Sequence, residues 1–258
     1  MQHLKIALIQ ADLVWQNAEQ NRTHFFEKIK EIDKEVNLIV LPEMFTTGFS
    51  MQPQNNAEYM VGNTVKWMQK IALGNNTAIC GSIIISENNK FYNRFIFVHP
   101  DGKIEYYNKR HLFTLAGEHT AYTQGEEKVI IHYKDFKICP LICYDLRFPV
   151  WARNVENYDV LIYVANWPKP RISAWDTLLK ARAIENMCYT IGVNRIGIDA
   201  NNLEYNGHTA AYNCLGEQVA KTLENKKDIA VVTLEKNHIS EIRTKLNFLS
   251  DKDSFEIK

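Results

Sequence analysis

The sequence has no excess charge of either sign. Its 258 residues carry 30 lysines and arginines against 30 aspartates and glutamates. Such a balance gives no long-range attraction to nucleic acid or to an anionic membrane. Cysteine is scarce and odd in number, with five at positions 80, 139, 143, 188 and 214. That is no disulfide framework, and it points to a reducing, cytoplasmic setting. Cys139 and Cys143 have no second Cys/His pair at zinc-site spacing, and the eight histidines form no HExxH. The 11 glycines compose neither a phosphate loop nor a dinucleotide fingerprint. Neither a metal nor a cofactor is therefore expected. No apolar run nears the roughly 20 residues of a membrane helix. The start, "MQHLKIALIQADL", lacks the parts of a signal peptide. There is no internal repeat, low-complexity tract or linker. The expectation is a single α/β domain over residues 1–235. Residues 236–258 would add a C-terminal helix and tail that pack on it or on a dimer partner.

The chain is rich in apolar segments, with 46% hydrophobic residues. Strands are expected at 4–10, 37–41, 78–85, 91–98, 104–108, 128–133, 136–142, 158–165, 189–194, 208–214 and 229–234. "SENNK" reads as the turn of a hairpin between the third and fourth. Phe25, Ile29, Ile32 and Val36 recur at helical spacing, so a helix is expected over 18–34. A second covers 64–73, with Gly74 as its terminator. A third follows a capping box of Ser173 and Asp176 and runs to about Cys188. A last helix spans 235–246, before an extended tail at 250–258. Residues 110–127 show no period and read as loop. Hairpins interrupt the strand–helix alternation, so the sheets should be mixed.

Three reactive side chains fall just past expected strands: Glu43 after "NLIVLP", Lys109 after "IEYYN" and Cys143 after "FKICPLI". Ligands of open α/β sheets gather at the carboxyl ends of strands. A thiol is a strong nucleophile as thiolate. A carboxylate can take its proton and return one to a leaving amine. An ammonium can hold the oxyanion formed by attack on a carbonyl. The three together would suffice for acyl transfer without a histidine. Taken singly, each has an ordinary role: a core thiol, a solvated carboxylate, a basic turn. Asp145 and Arg147 read as an ion pair at a helix start.

The contexts "LPEMFTTGF" (41–49), "YNKRHLF" (107–113) and "ICYDLRFP" (142–149) together resemble the nitrilase superfamily of carbon–nitrogen hydrolases. The resemblance implies a four-layer α-β-β-α sandwich with mixed sheets, commonly paired as a homodimer. It implies Glu43, Lys109 and Cys143 as the catalytic set, with Glu118 of "AGEHTAY" as a supporting glutamate. "ANWP" (165–168) and "KARAIENMCYTIGVNRIG" (180–197) are similar to further family segments, in which Arg182 and Glu185 read as packing and interface residues rather than catalysts. "YNKRHLF", "GEH", "CYDLRFP" and "NWP" look most like the omega-amidase branch, which deamidates short 2-oxo acid amides. The backbone N–H of Tyr144 would then help hold the oxyanion. Trp167 would wall the pocket, and Arg171, or else Arg147, would bind the substrate carboxylate. The alternatives are an N-carbamoyl amino acid amidohydrolase, a deaminated-peptide amidase, or an idle binding protein that kept the fold.

Overall fold

The computed structural model describes residues 2–256. Two six-stranded mixed sheets form its centre. The first sheet uses β1 (His3–Gln10), β2 (Leu38–Val40), β3 (Ala78–Glu87), β4 (Lys90–Val98) and β5 (Ile104–Asn108). The second uses β6 (Ile131–Tyr133), β7 (Phe136–Ile142), β8 (Val160–Ala165) and β9 (Tyr189–Asn194). A two-stranded ribbon, β10 (Ile196–Ile198) with β11 (Glu204–Asn206), leaves the second sheet. The strands β12 (Ala210–Tyr212) and β13 (Gln218–Lys221) then complete that sheet, and β14 (Asp228–Glu235) returns to pair with β1 in the first. The helices are α1 (Ala18–Ile29), α2 (Pro53–Asn56), α3 (Asn63–Asn75), α4 (Glu118–Ala121), α5 (Pro149–Ala152), α6 (Ile172–Asn186) and α7 (Lys236–Leu246).

Side-chain alternation explains the layering. Along β1, Leu4, Ile6 and Leu8 face the second sheet, while Ala7 and Ile9 face α1 and α3. One core therefore lies between the sheets. A second lies under α1 and α3, where Phe25, Ile29, Val65, Met68 and Ile71 are buried. On the far side α6 lays Trp175, Leu179 and Ala183 on the second sheet. The result is the four-layer α-β-β-α sandwich expected from the sequence. Gly192 in β9 lets α6 come close, since a Cβ there would sit 2.4 Å from Leu179 Cδ1. The helix α7 inserts Ile239 into the central core, and Arg243 donates to the carbonyls of Tyr158 and Met187.

Several local expectations need correction. The helix α1 stops at Ile29, so Ile32 and Val36 pack from the following turn and loop. Gly74 lies inside α3, and the terminator is Asn76 in the left-handed conformation at φ 50°. Ser173 is inside α6 and caps nothing; the cap residue is Arg171, and the Asp176 carboxylate bonds His208 instead. Residues 110–127 hold a 3₁₀ turn at Thr114–Ala116 and the short α4. The ribbon β10–β11 and the strand β13 were not expected. A 3₁₀ turn, Phe248–Asp251, opens the tail, and residues 257 and 258 lie outside the described part. The "SENNK" hairpin is present, with Asn88 and Asn89 at φ 51° and 59°, the pair of left-handed residues that a two-residue turn needs.

Candidate active site

The first sheet contributes Glu43 and Lys109 from beyond the ends of β2 and β5; the second contributes Cys143 from the end of β7. Cys143 opens the 3₁₀ turn Cys143–Arg147 and has φ 44°. A non-glycine residue there is strained by its own Cβ, so the surrounding structure must hold it. Asp145 supplies part of that hold. Its buried carboxylate accepts from Ile142 N (3.0 Å), Tyr107 Oη (2.8 Å), His111 N (3.0 Å) and His111 Nδ1 (2.8 Å). It thereby ties the Cys143 turn to the segment that carries Lys109. Arg182 of α6 donates to Leu146 O at 2.7 Å and braces the same turn from behind.

Glu43, Lys109 and Glu118 form one buried cluster. The Lys109 ammonium lies 3.0 Å from Glu43 Oε1 and 3.0 Å from both Glu118 oxygens. Glu43 Oε1 also accepts from Asn93 Nδ2 at 2.7 Å, and Oε2 accepts from the backbone N–H of Asn166 at 2.8 Å. Phe113 N donates to Glu118 Oε2 at 2.6 Å, so the segment read as loop folds to present that carboxylate. Burial works against the charge of Lys109, but Glu118 and Glu43 outweigh it and hold the ammonium well above its ordinary pKa. Burial raises Glu118 above the usual carboxylate range, with Glu43 adding to the rise and Lys109 opposing it. Burial also pushes the Cys143 thiol well up, reinforced by the charge of Glu43 and opposed by Lys109. The raised thiol therefore favours its protonated form.

Cys143 opens onto a cavity of about 490 Å³. Tyr144, Trp167, Arg147 and Arg171 all line it. Trp167 is buried, with its indole N–H on Arg171 O at 2.8 Å. The Tyr144 ring packs between Phe113 and Phe148. The expected ion pair of Arg147 with Asp145 is absent, because Asp145 is occupied by four N–H and O–H donors. Arg147 instead lies over the Trp167 ring at 4.9 Å, and Arg171 lies over Phe113 at 5.2 Å. Neither guanidinium has an acidic partner among the described residues. Asp199, the carboxylate that also lines the cavity, accepts from Asn201 N, Leu203 N and Tyr205 Oη.

Sequence reasoning gave no role to Asn93, Asn166 or Asp199. Asn93 sits in the middle of β4 and is fully buried. A polar residue inside the apolar run "FYNRFIFV" was the available signal, because buried amides are retained where they bond. Among the described residues no group of three His, Cys, Asp or Glu side chains could hold a metal ion, and no helix is long and apolar enough to cross a membrane.

Known proteins are similar over most or all of the chain. The carbon–nitrogen hydrolase family model matches residues 5–244. The omega-amidase YafV of Escherichia coli (strain K12) is 40% identical over 257 residues, covering 100% of both chains. The 2-oxoglutaramate amidase of Bacillus subtilis (strain 168) is 33% identical, over 84% of this chain and 85% of that one. XC1258 of Xanthomonas campestris, a CN-hydrolase superfamily protein with an arsenic adduct in its active site, superposes at TM-score 0.97. It is 37% identical, with 100% of both chains covered. A sandwich closed around buried acid, ammonium and thiol groups, and full-length kinship with amidases, have one meaning: the chain is a hydrolytic amidase of the carbon–nitrogen hydrolase family, within the nitrilase superfamily.

Proposed function

We propose that this amidase hydrolyses the terminal amide of a short 2-oxo acid, such as 2-oxoglutaramate or 2-oxosuccinamate, to the carboxylate and ammonia. The observation that carries this is the pair of unpaired guanidiniums, Arg147 and Arg171, in the cavity of Cys143. A 2-oxo carboxylate presents only acceptors, and guanidinium presents only donors. An α-ammonium would be repelled by both arginines, and the Asp199 carboxylate is already bonded to Asn201 N, Leu203 N and Tyr205 Oη. The amino acid amide is thus rejected by unpaired charge. The names of the Escherichia coli and Bacillus subtilis relatives point the same way.

In the proposed mechanism Glu43 takes the thiol proton as Cys143 sulfur bonds the amide carbon. Lys109 and the backbone N–H of Tyr144 hold the oxyanion. Glu43 returns the proton to nitrogen as the C–N bond breaks, and ammonia leaves a thioester on Cys143. Water, deprotonated by Glu43, then attacks the thioester and frees the thiol. Glu118 keeps Lys109 charged and aimed. Trp167 walls the pocket, and Arg171 binds the remote carboxylate. The test is kcat/KM for 2-oxoglutaramate, glutamine and an N-carbamoyl amino acid, side by side. The oxo acid amide should lead, and Arg171→Ala should raise its KM far more than it lowers kcat. A win for the carbamoyl compound by about tenfold, some 1.4 kcal/mol of transition-state preference, would replace the proposal.

The proposal extends to assembly. The outer face of α6 leaves Ile184 47% exposed. A Cβ on Gly216 would lie 2.6 Å from Ile184 Cδ1, so the turn bearing the exposed Leu215 abuts it. A homodimer through this apolar face is expected, and a single species near 30.0 kDa in sedimentation at low micromolar concentration would refute it.

A further inference from the structure

Asn166 follows β8 and is only 5% exposed, yet it lines the cavity beside Cys143. Most of its polar groups are spoken for. The backbone N–H donates to Glu43 Oε2 at 2.8 Å, and Nδ2 donates to Glu43 O at 2.6 Å. Its Oδ1 is buried and has no partner. A buried amide oxygen left unpaired is destabilising. It is retained at low cost if a ligand completes it. Lys109 and Cys143 line the same cavity, and Oδ1 can only accept.

We infer that Asn166 Oδ1 accepts an N–H of the scissile carboxamide and so selects amides over esters. The inference rests on the Glu43 and Cys143 mechanism proposed above and assigns it a further substrate-contacting residue. Its geometry follows from one residue having two ends. The backbone N–H of Asn166 fixes the Glu43 oxygen, and its side-chain oxygen lies on the same residue. An amide nitrogen that gives one N–H to Oδ1 in the tetrahedral intermediate can turn its lone pair toward protonated Glu43. The C–N bond then breaks as the proton arrives. An ester has no hydrogen on its leaving oxygen, so its lone pairs would face Oδ1 without a bond. That mismatch leaves a buried acceptor unpaired, which discriminates strongly between otherwise similar substrates.

The experiment compares a primary amide that the wild type turns over with the methyl ester of the same acid. The readout is the amide-to-ester ratio of kcat/KM, which covers the steps up to thioester formation. Asn166→Ala should lower that ratio at least tenfold. Asn166→Ser, too short to reach the nitrogen, should do the same and serves if the alanine variant does not fold. Asn166→Asp keeps an acceptor and should hold the ratio within about threefold of wild type, although the added charge beside Glu43 will lower both rates. Equal losses on amide and ester in Asn166→Ala or Asn166→Ser would overturn the inference, because they would mean that Asn166 only positions Glu43, which both reactions need. The result is independent of substrate identity: if 2-oxo acid amides prove poor substrates, the ratio is read on whichever primary amide the wild type prefers.

Discussion

At the residue scale, the charge on Glu43 has two opposed effects on Cys143. In the proposed mechanism it is the base that removes the thiol proton, and as a neighbouring anion it holds that proton on. Glu43→Gln separates them. Turnover should fall by roughly two orders of magnitude or more, as for loss of a general base. The thiol pKa should fall at the same time, because a raising charge is gone while Lys109 stays within 3.0 Å of Glu118. Thiolate absorbance against pH, with Cys143→Ala as the blank, checks the direction. A thiol pKa equal to or above that of the wild type would refute the electrostatic account. Cys143→Ala should itself be inactive, while Cys139 and Cys80 are fully buried core thiols whose loss should spare the chemistry. Glu43, Lys109 and Cys143 were singled out in sequence as reactive types just past strands, within three motifs that resemble the family, and the fold brings them together. Asn93 and Asn166 were not, because their bonds to Glu43 join segments far apart in sequence, within the first sheet for Asn93 and across the two sheets for Asn166. The Asp145–Arg147 pair was misread for a related reason. Sequence nearness favoured it, but the fold delivers donors from Tyr107 and His111, over thirty positions away.

At the scale of elements, period-2 alternation and apolar runs found the long strands, since burial on one or both faces leaves a strong pattern. The ends were harder. Helix α1 stops early because Ile32 and Val36 reach the same core as its buried face without helical backbone, so periodicity outruns the helix. The choice of Gly74 over Asn76 failed because both residues tolerate a left-handed cap, and position is settled by which one follows the last buried turn. The ribbon β10–β11 is short and has its edge exposed at Ile198, so it carries almost no periodic signal. It nevertheless frames the site, because the loop between its strands delivers Asp199 and Leu203 to the cavity wall. The segment 110–127 gave no period because its order is polar. Glu118 is held by Lys109 and Phe113 N, and Tyr122 Oη by Ser50 O, rather than by an apolar stripe.

At the scale of the whole molecule, the interior is filled with groups that stay neutral because burial forbids their charge. Cys80 and Cys139 are pushed up by burial, and Cys188 is pushed up to about 12 by the same cause. The phenols of Tyr107, Tyr158 and Tyr163 are raised well above their usual value, again by burial first. In the unfolded chain these groups return to about 8.5 for thiols and about 10 for phenols. Below those values both states hold the proton, and stability is unaffected. Above them the unfolded chain binds fewer protons than the folded one, so unfolding free energy must fall as pH rises. Each group contributes at most about 1.4 kcal/mol per pH unit until its folded pKa is reached. Lys109, raised by its two carboxylates, adds a loss of the same sign above about pH 10.4. Denaturant melts under reducing conditions should therefore show a decline that begins near pH 8.5 and steepens past pH 10. Tyr163 makes the cleanest probe, since its hydroxyl has no hydrogen-bond partner to lose. Tyr163→Phe should leave the thiol-driven decline intact and flatten the steeper limb. A wild-type stability that is flat to pH 10.5, or a Tyr163→Phe variant with an unchanged upper limb, would show that these groups are hydrated in the folded protein, contrary to their full burial.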